Sequence, residues 1–442
     1  MSWNGLVDAA LDLKVTSTAA SVVFAVVAAL GVGVLVARRR RRWLVVGPVA
    51  AAAAAAALVV AGAVLIEKVW RPFPDPLPLS VYGWAGVALF AVGLLVGRVF
   101  FRREGRHPGA AVGLVTTTVV VVVCAGGAIN AVYDAYPTVR AVLGIADYRT
   151  VPFTDVPPPA PASAAPPPPL SEWTPPADLP STGAVTEADI PGTTSGFSAR
   201  AARIYLPPAY FAGSRPDLPV LVLLAGQPGS PGDWLAGGRL TEIMDAYAAG
   251  HEGLAPIVVL ADGTGGQFDN PLCVDSPRGN AATYLAVDVP AWVRANLQVA
   301  QDPRAWAVGG FSYGGTCALQ LATTHPEMYP TFLDLSGQAE PTIGDRESTI
   351  REVFGGDAEA FARNNPADLL ASHRYPGSAG AFVVGENDVE YRAGIEQSVT
   401  AARAAGMDVH LTELPGGHSF AVWSAGLETE LPWLGRRLGL PS

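Results

Sequence analysis

The sequence predicts an α/β chain in which a doubly wound, mostly parallel sheet follows a module of four membrane-spanning helices. Three observations carry that expectation. Four long apolar stretches, almost free of charge, fill the first third of the 442 residues. From about Ser195 onward, short apolar runs alternate with helical segments, the pattern of a parallel sheet covered on both faces. Within that second part, the run Trp306-Ala307-Val308-Gly309-Gly310-Phe311-Ser312-Tyr313-Gly314-Gly315 takes a strand-like stretch into a glycine-flanked serine. An Ala/Leu-rich helical stretch, Thr316 to Thr323, follows directly.

The apolar stretches are Val15–Ala37, Trp43–Ile66, Ser80–Phe100 and Gly109–Tyr133. Each supplies about 20 residues, enough to cross a bilayer core as a helix. As core helices of a water-soluble domain they would leave that domain with nothing polar to present to solvent. Arginine placement sets the expected orientation. Arg38 to Arg42 lie between the first two spans, and Arg98, Arg102, Arg103 and Arg106 lead into the fourth. The loop between the second and third spans holds only Lys68 and Arg71 against Glu67 and Asp75. The positive-inside rule then puts both arginine loops in the cytoplasm and both chain ends outside. A cleaved signal peptide fits poorly, because no basic region precedes the first span and five arginines follow it.

Residues 1–150 therefore form the expected membrane anchor. Residues 151–194 are rich in Pro, Ala and Ser, including Pro157-Pro158-Pro159 and Pro166 to Pro169. Such a tract favours extended geometry and is expected to be a semi-rigid spacer. Residues 195–442 form the expected sheet domain. The first 149 residues carry a formal charge of +7 and the remainder −17, within a total of −10. So acidic a domain is a poor partner for nucleic acid, whose binding rests on neutralising phosphates.

In the outer domain the expected strands are Ala201–Leu206, Pro219–Leu224, Pro256–Ala261, Arg304–Gly309, Thr331–Leu335, Gly380–Val384 and Asp408–Glu413. Helices are expected at Leu240–Ala249, Tyr284–Asn296 and Ala393–Ala405. A segment from Ala339 to Pro376, with helices near Arg346–Phe354 and Ala358–Asn364, is either a cap over a pocket or a surface helix pair.

Gly310-Phe311-Ser312-Tyr313-Gly314 is a G-x-S-x-G pattern in strand–turn–helix context, which makes Ser312 a candidate nucleophile. A serine nucleophile needs a base, and the base needs an orienting acid. In this kind of sheet they arrive in the order Ser, acid, His, in loops at the carboxyl ends of strands. Asp388 lies in the loop after Gly380–Val384, and His418 follows Asp408–Glu413 and the turn Gly416-Gly417. His251, His325, His373 and His410 lack that placement, whereas Glu386, two residues before Asp388, competes for the acid role. The oxyanion donors are expected to be the amide of Tyr313 and an amide of the loop Ala225-Gly226-Gln227-Pro228-Gly229. Proline has no N–H, which leaves Gln227 first and Gly226 second.

Cys124 lies in the fourth apolar stretch, expected to face lipid or a neighbouring helix. Cys273 and Cys317 both fall in the outer domain, where a disulfide can persist. A bridge between them would pin a loop beside the candidate site, and two free buried thiols are the alternative. No spacing suits a metal, and no cofactor is implied.

With Tyr205-Leu206-Pro207-Pro208, the Gly309–Gly315 run, Asp388 and Gly417-His418-Ser419-Phe420, the chain resembles the esterase D / antigen 85 group of α/β-hydrolases. The resemblance spans about Ser195 to Leu440 and omits the membrane third. It implies an α/β-hydrolase fold, with Ser312 as nucleophile, His418 as base and Asp388 as acid. The antigen 85 branch resembles secreted acyltransferases that move mycolyl chains and use a glutamate acid. The membrane module and the aspartate of this chain depart from that pattern. The expectation is a serine esterase of the plasma membrane with its catalytic domain outside, acting on acyl esters of lipid or glycolipid. The alternatives are an acyltransferase that delivers the acyl group to a carbohydrate or lipid hydroxyl, and an inactive hydrolase-fold binding protein.

Overall fold

Uninterrupted runs of Val, Leu, Ile and Ala give this chain long lipid-compatible helices in its first part and short buried strands in its second. The computed structural model describes residues 3–37, 41–73, 76–100, 108–161 and 167–441. It divides into two units, Met1–Ile145 and Ala146–Ser442.

The first unit contains helices Thr18–Val36, Arg41–Val64, Leu79–Phe100 and Pro108–Tyr133. The second of these continues into a π-helical turn, Leu65–Trp70. Among the described residues, four helices are long and apolar enough to cross a membrane. They pack through small side chains, with Ala28, Ala51, Ala91 and Cys124 in one buried cluster beside Leu35, Trp43 and Leu94. Small residues let apolar helices approach closely where no water drives association. Arg98 is the polar exception. Its guanidinium is buried and donates to the carbonyls of Val34, Leu35 and Ala37 at 2.7, 2.8 and 2.6 Å. Those are orphan acceptors at a helix end. Of the residues that set the expected orientation, Arg38 to Arg40, Asp75, Arg102, Arg103 and Arg106 lie outside the described residues.

In the second unit the strands are β1 (Ala184–Ala188), β2 (Ala202–Leu206), β3 (Val220–Leu224), β4 (Ile257–Ala261), a hairpin β5 (Asp275–Ser276) and β6 (Gly279–Asn280), β7 (Trp306–Phe311), β8 (Thr331–Leu335), β9 (Ala379–Gly385) and β10 (Asp408–Leu414). Every strand expected from the sequence forms, with ends shifted by at most two residues. The main sheet runs β1-β2-β4-β3-β7-β8-β9-β10. β1 and β2 pair antiparallel, as do β2 and β4, and every other neighbouring pair is parallel. The inner strands β3, β4, β7 and β8 are buried along their whole length, as strands covered on both faces must be. Strand order reverses between β3 and β7, so the crevice at their carboxyl ends is a topological switch point.

The expected spacer needs correction. Residues 184–188 are an edge strand of the sheet, with Ala184 opposite Leu206 and Ala188 opposite Ala202. Val156, Trp173 and Ile190 are buried in the core of this unit. Trp173 donates its indole N–H to the Glu252 carbonyl at 3.0 Å, and Tyr210 donates to the Pro157 carbonyl at 3.1 Å. Prolines lack a donor but keep a good acceptor, and the scattered Val, Trp and Ile supply apolar anchors that composition hides. Residues 162–166 of the tract lie outside the description.

The segment Ala339–Pro376 carries helices Arg346–Val353, Ala358–Ala362 and Pro366–Ser372. Its Val353, Ile343 and Phe354 pack on Leu272 and Val274.

Candidate active site

β7 ends one residue before Ser312, and helix Tyr313–Thr324 begins one residue after it. The serine backbone therefore turns sharply, at φ 54° and ψ −121°. A non-glycine residue there costs about 1–3 kcal/mol and persists only when its surroundings over-determine it. They do. The Ser312 amide donates to the Leu335 carbonyl at 2.8 Å, and its carbonyl accepts from Gly315 and Thr316 at 2.9 and 3.1 Å. The flanking glycines are required by contact. A Cβ on Gly310 would lie 2.4 Å from the Gly314 carbonyl carbon, and one on Gly314 would lie 2.5 Å from the Leu224 carbonyl oxygen.

His418 lies in the turn after β10 and Asp388 in the turn after β9. Those turns are tied together by Glu386 N–H to the Leu414 carbonyl and Asn387 N–H to the Gly416 carbonyl, both 2.8 Å. His418 Nδ1 is 2.9 Å from Asp388 Oδ2, and His418 Nε2 is 2.9 Å from Ser312 Oγ. With the proton on Nδ1 facing the carboxylate, Nε2 accepts from the serine hydroxyl. Asp388 and Ser312 are both buried. Glu386 is exposed, so the turn sends the aspartate rather than the glutamate to the imidazole. The other described histidines bond elsewhere. His410 Nε2 meets Glu430 Oε2 at 2.7 Å, and His251 Nδ1 meets the Tyr247 carbonyl at 2.7 Å.

The Tyr313 amide opens its helix, where the first N–H groups have no intrahelical acceptor. Gly226 sits beside the serine, since a Cβ there would be 3.4 Å from Ser312 Cβ. Gln227 is buried, and its side-chain Nε2 donates to the Phe268 carbonyl at 3.1 Å. Cys273 and Cys317 form a disulfide. It joins the loop after β4 to the helix that starts beside Ser312. Among the described residues, no group of three or more His, Cys, Asp or Glu side chains could hold a metal ion.

Three further residues shape the site without having been singled out by motif. Tyr391 stacks on the His418 ring, and Trp423 meets that ring edge-on at 4.9 Å and 85°. Aromatics close after Asp388 and His418 in sequence are the only signal that could have pointed to them. Asp334 is an aspartate within an otherwise apolar strand run, a visible anomaly. It is fully buried on β8, and its Oδ1 accepts from Gly337 N–H at 2.8 Å. Burial pushes its pKa up to about 7.

A family model described as "Putative esterase" matches residues 198–434. An uncharacterized protein of Corynebacterium glutamicum is 40% identical over 388 residues, covering 85% of this chain and 86% of that protein. A diacylglycerol acyltransferase/mycolyltransferase of Mycobacterium tuberculosis, antigen 85A, is 27% identical over 187 residues, or 36% of this chain and 55% of that one. Among solved structures, a ferulic acid esterase aligns with a TM-score of 0.48 at 20% identity, covering 54% of this chain and 92% of its own.

Proposed function

The chain belongs to the Esterase family of hydrolases and acyltransferases, and on that premise we propose that it is a membrane-anchored serine esterase acting on acyl esters outside the cytoplasm. The observation that carries the reading is the continuous relay from Asp388 through His418 to Ser312, with both contacts at 2.9 Å.

Ser312 Oγ attacks the ester carbonyl as His418 Nε2 takes its proton, and Asp388 holds the imidazole in the required tautomer and stabilises the imidazolium. General-base assistance of this kind contributes about 10²–10⁴-fold. The amides of Tyr313 and Gln227 receive the developing oxyanion, each donor being worth about 3–4 kcal/mol. His418 then protonates the departing alcohol. Water attacks the acyl-enzyme and regenerates the serine. No metal or organic cofactor enters these steps.

Four helices long and apolar enough to cross a bilayer would keep the catalytic unit beside lipid, which favours lipid or glycolipid esters through raised local concentration. The arginine-rich loops would face the cytoplasm, leaving residues 146–442 outside. Similarity to an acyltransferase/mycolyltransferase supports a second reading, in which a carbohydrate or lipid hydroxyl replaces water as acyl acceptor.

The test is labelling of membranes with a fluorophosphonate probe, in wild type, Ser312→Ala and His418→Ala, with protease added outside intact cells. Loss of label in both variants and external cleavage of the labelled unit are expected. Undiminished labelling of Ser312→Ala would place the nucleophile elsewhere.

A further inference from the structure

The segment Ala225–Gly229, which carries the Gln227 amide, is bounded on one side by β3. On its other side it rests on the loop Gly263–Cys273. Gly229 N–H donates to the Gln267 carbonyl at 3.2 Å, and Gln227 Nε2 donates to the Phe268 carbonyl at 3.1 Å. Arg200 adds a strut from the same direction, with one guanidinium nitrogen on the Gly229 carbonyl at 2.9 Å and another on Asp262 at 2.7 Å. The geometry of the oxyanion amide is therefore set by where this loop lies.

The loop is fastened at both ends by one side chain. The Tyr313 hydroxyl, fully buried, donates to the Gly263 carbonyl at 3.3 Å and accepts from Cys273 N–H at 3.1 Å. Tyr313 is the neighbour of Ser312, so the fastening point moves with the nucleophile turn. The far end is locked again by the Cys273–Cys317 bridge and by Gln320 Nε2 on the Cys273 carbonyl at 3.3 Å. Leu272 and Cys273 hold left-handed backbone at φ 61° and 51°, which such anchoring must sustain. Both cysteines are 1% exposed, which makes the bridge a permanent fixture rather than a solvent-accessible switch.

We propose that the Tyr313 hydroxyl and the Cys273–Cys317 bridge form a clamp that, through the loop Gly263–Cys273 and the Phe268 carbonyl, positions the Gln227 amide for the oxyanion. Tyr313 thus has two parts to play: its amide touches the reacting oxygen, and its side chain is a positioning group for the second donor. Phe268 acts through its carbonyl in the same way. The inference rests on the esterase reading above.

The experiment uses the full chain in detergent micelles, turnover of p-nitrophenyl butyrate, and inhibition by an alkyl boronic acid, whose tetrahedral serine adduct places an oxygen where the oxyanion sits. Tyr313→Phe keeps the ring and removes both hydroxyl bonds. Gln227→Ala keeps the amide and removes its side-chain tie to Phe268. Each is expected to lower kcat about tenfold, part of what complete loss of an oxyanion donor costs, with KM within about twofold. Boronic acid affinity is expected to fall by the same factor. Because both substitutions disturb one device, the double variant should be no slower than about the slower single variant. Cys273→Ser with Cys317→Ser, the independent arm should either single variant fold poorly, is expected to show the same split. Full kcat in these variants, losses that multiply in the double variant, or a change confined to KM overturns the clamp. A wild-type chain that neither turns over the ester nor takes a fluorophosphonate overturns the esterase reading itself, and the clamp with it.

Discussion

The ring of Tyr391 lies flat on the imidazole of His418, with centroids 3.9 Å apart and planes 15° from parallel. In the proposed mechanism that imidazole becomes cationic, and a π-face over it would stabilise the imidazolium and fix its orientation. Such contacts contribute about 0.5–1.5 kcal/mol. Tyr391→Ala is expected to lower kcat roughly three- to tenfold by that magnitude, while Tyr391→Phe retains the wild-type rate. Steady-state ester hydrolysis measures both.

The turn after β9 offers two carboxylates, and only Asp388 meets the imidazole. Asp388→Asn removes the carboxylate that holds the tautomer and is expected to reduce kcat about 10³–10⁴-fold. Glu386→Gln alters an exposed side chain and should leave the rate within about twofold. Equal losses in the two variants would reject the assignment.

Asp334 gives the fold a pH dependence separate from catalysis. Burial raises its pKa from 3.8 to about 7, so between those values the folded chain holds a proton that the unfolded chain has released. Its contribution to stability is full below pH 3.8 and declines as pH rises to about 7, where the buried charge has appeared. Asp334→Asn keeps an acceptor for Gly337 N–H and never ionises. It is expected to flatten this slope and to stabilise the catalytic unit at pH 8 by a few kcal/mol, read as a higher Tm. An unchanged pH profile would show that Asp334 titrates normally.

In the first unit, Arg98 satisfies three carbonyls at one helix end. Hydrogen bonds from a charged donor contribute about 1.5–3 kcal/mol each, and their loss leaves buried acceptors unpaired. Arg98→Gln is expected to unfold at lower denaturant in a detergent titration followed by circular dichroism, with Arg98→Lys in between. Superimposable curves for wild type and Arg98→Gln would remove this role.

Seven strands of the main sheet, the four apolar helices and the order of Ser312, Asp388 and His418 are legible in the sequence alone, whereas the edge strand β1 is not. Those features are local: a buried strand is an apolar run, a spanning helix a longer one, and the nucleophile turn needs small residues at fixed offsets. Tertiary structure decided what depends on segments distant in the chain. It sent Asp388 rather than Glu386 to the imidazole, because the cross-bonded turns after β9 and β10 choose which side chain faces inward. It made residues 184–188 an edge strand, because β2 offered free ladder positions that no composition average reveals. It also gave Tyr313, Tyr391 and Trp423 their places. An aromatic side chain carries no label for its partner, and only packing across the sheet's carboxyl edge brings these rings to the loops and the histidine they hold.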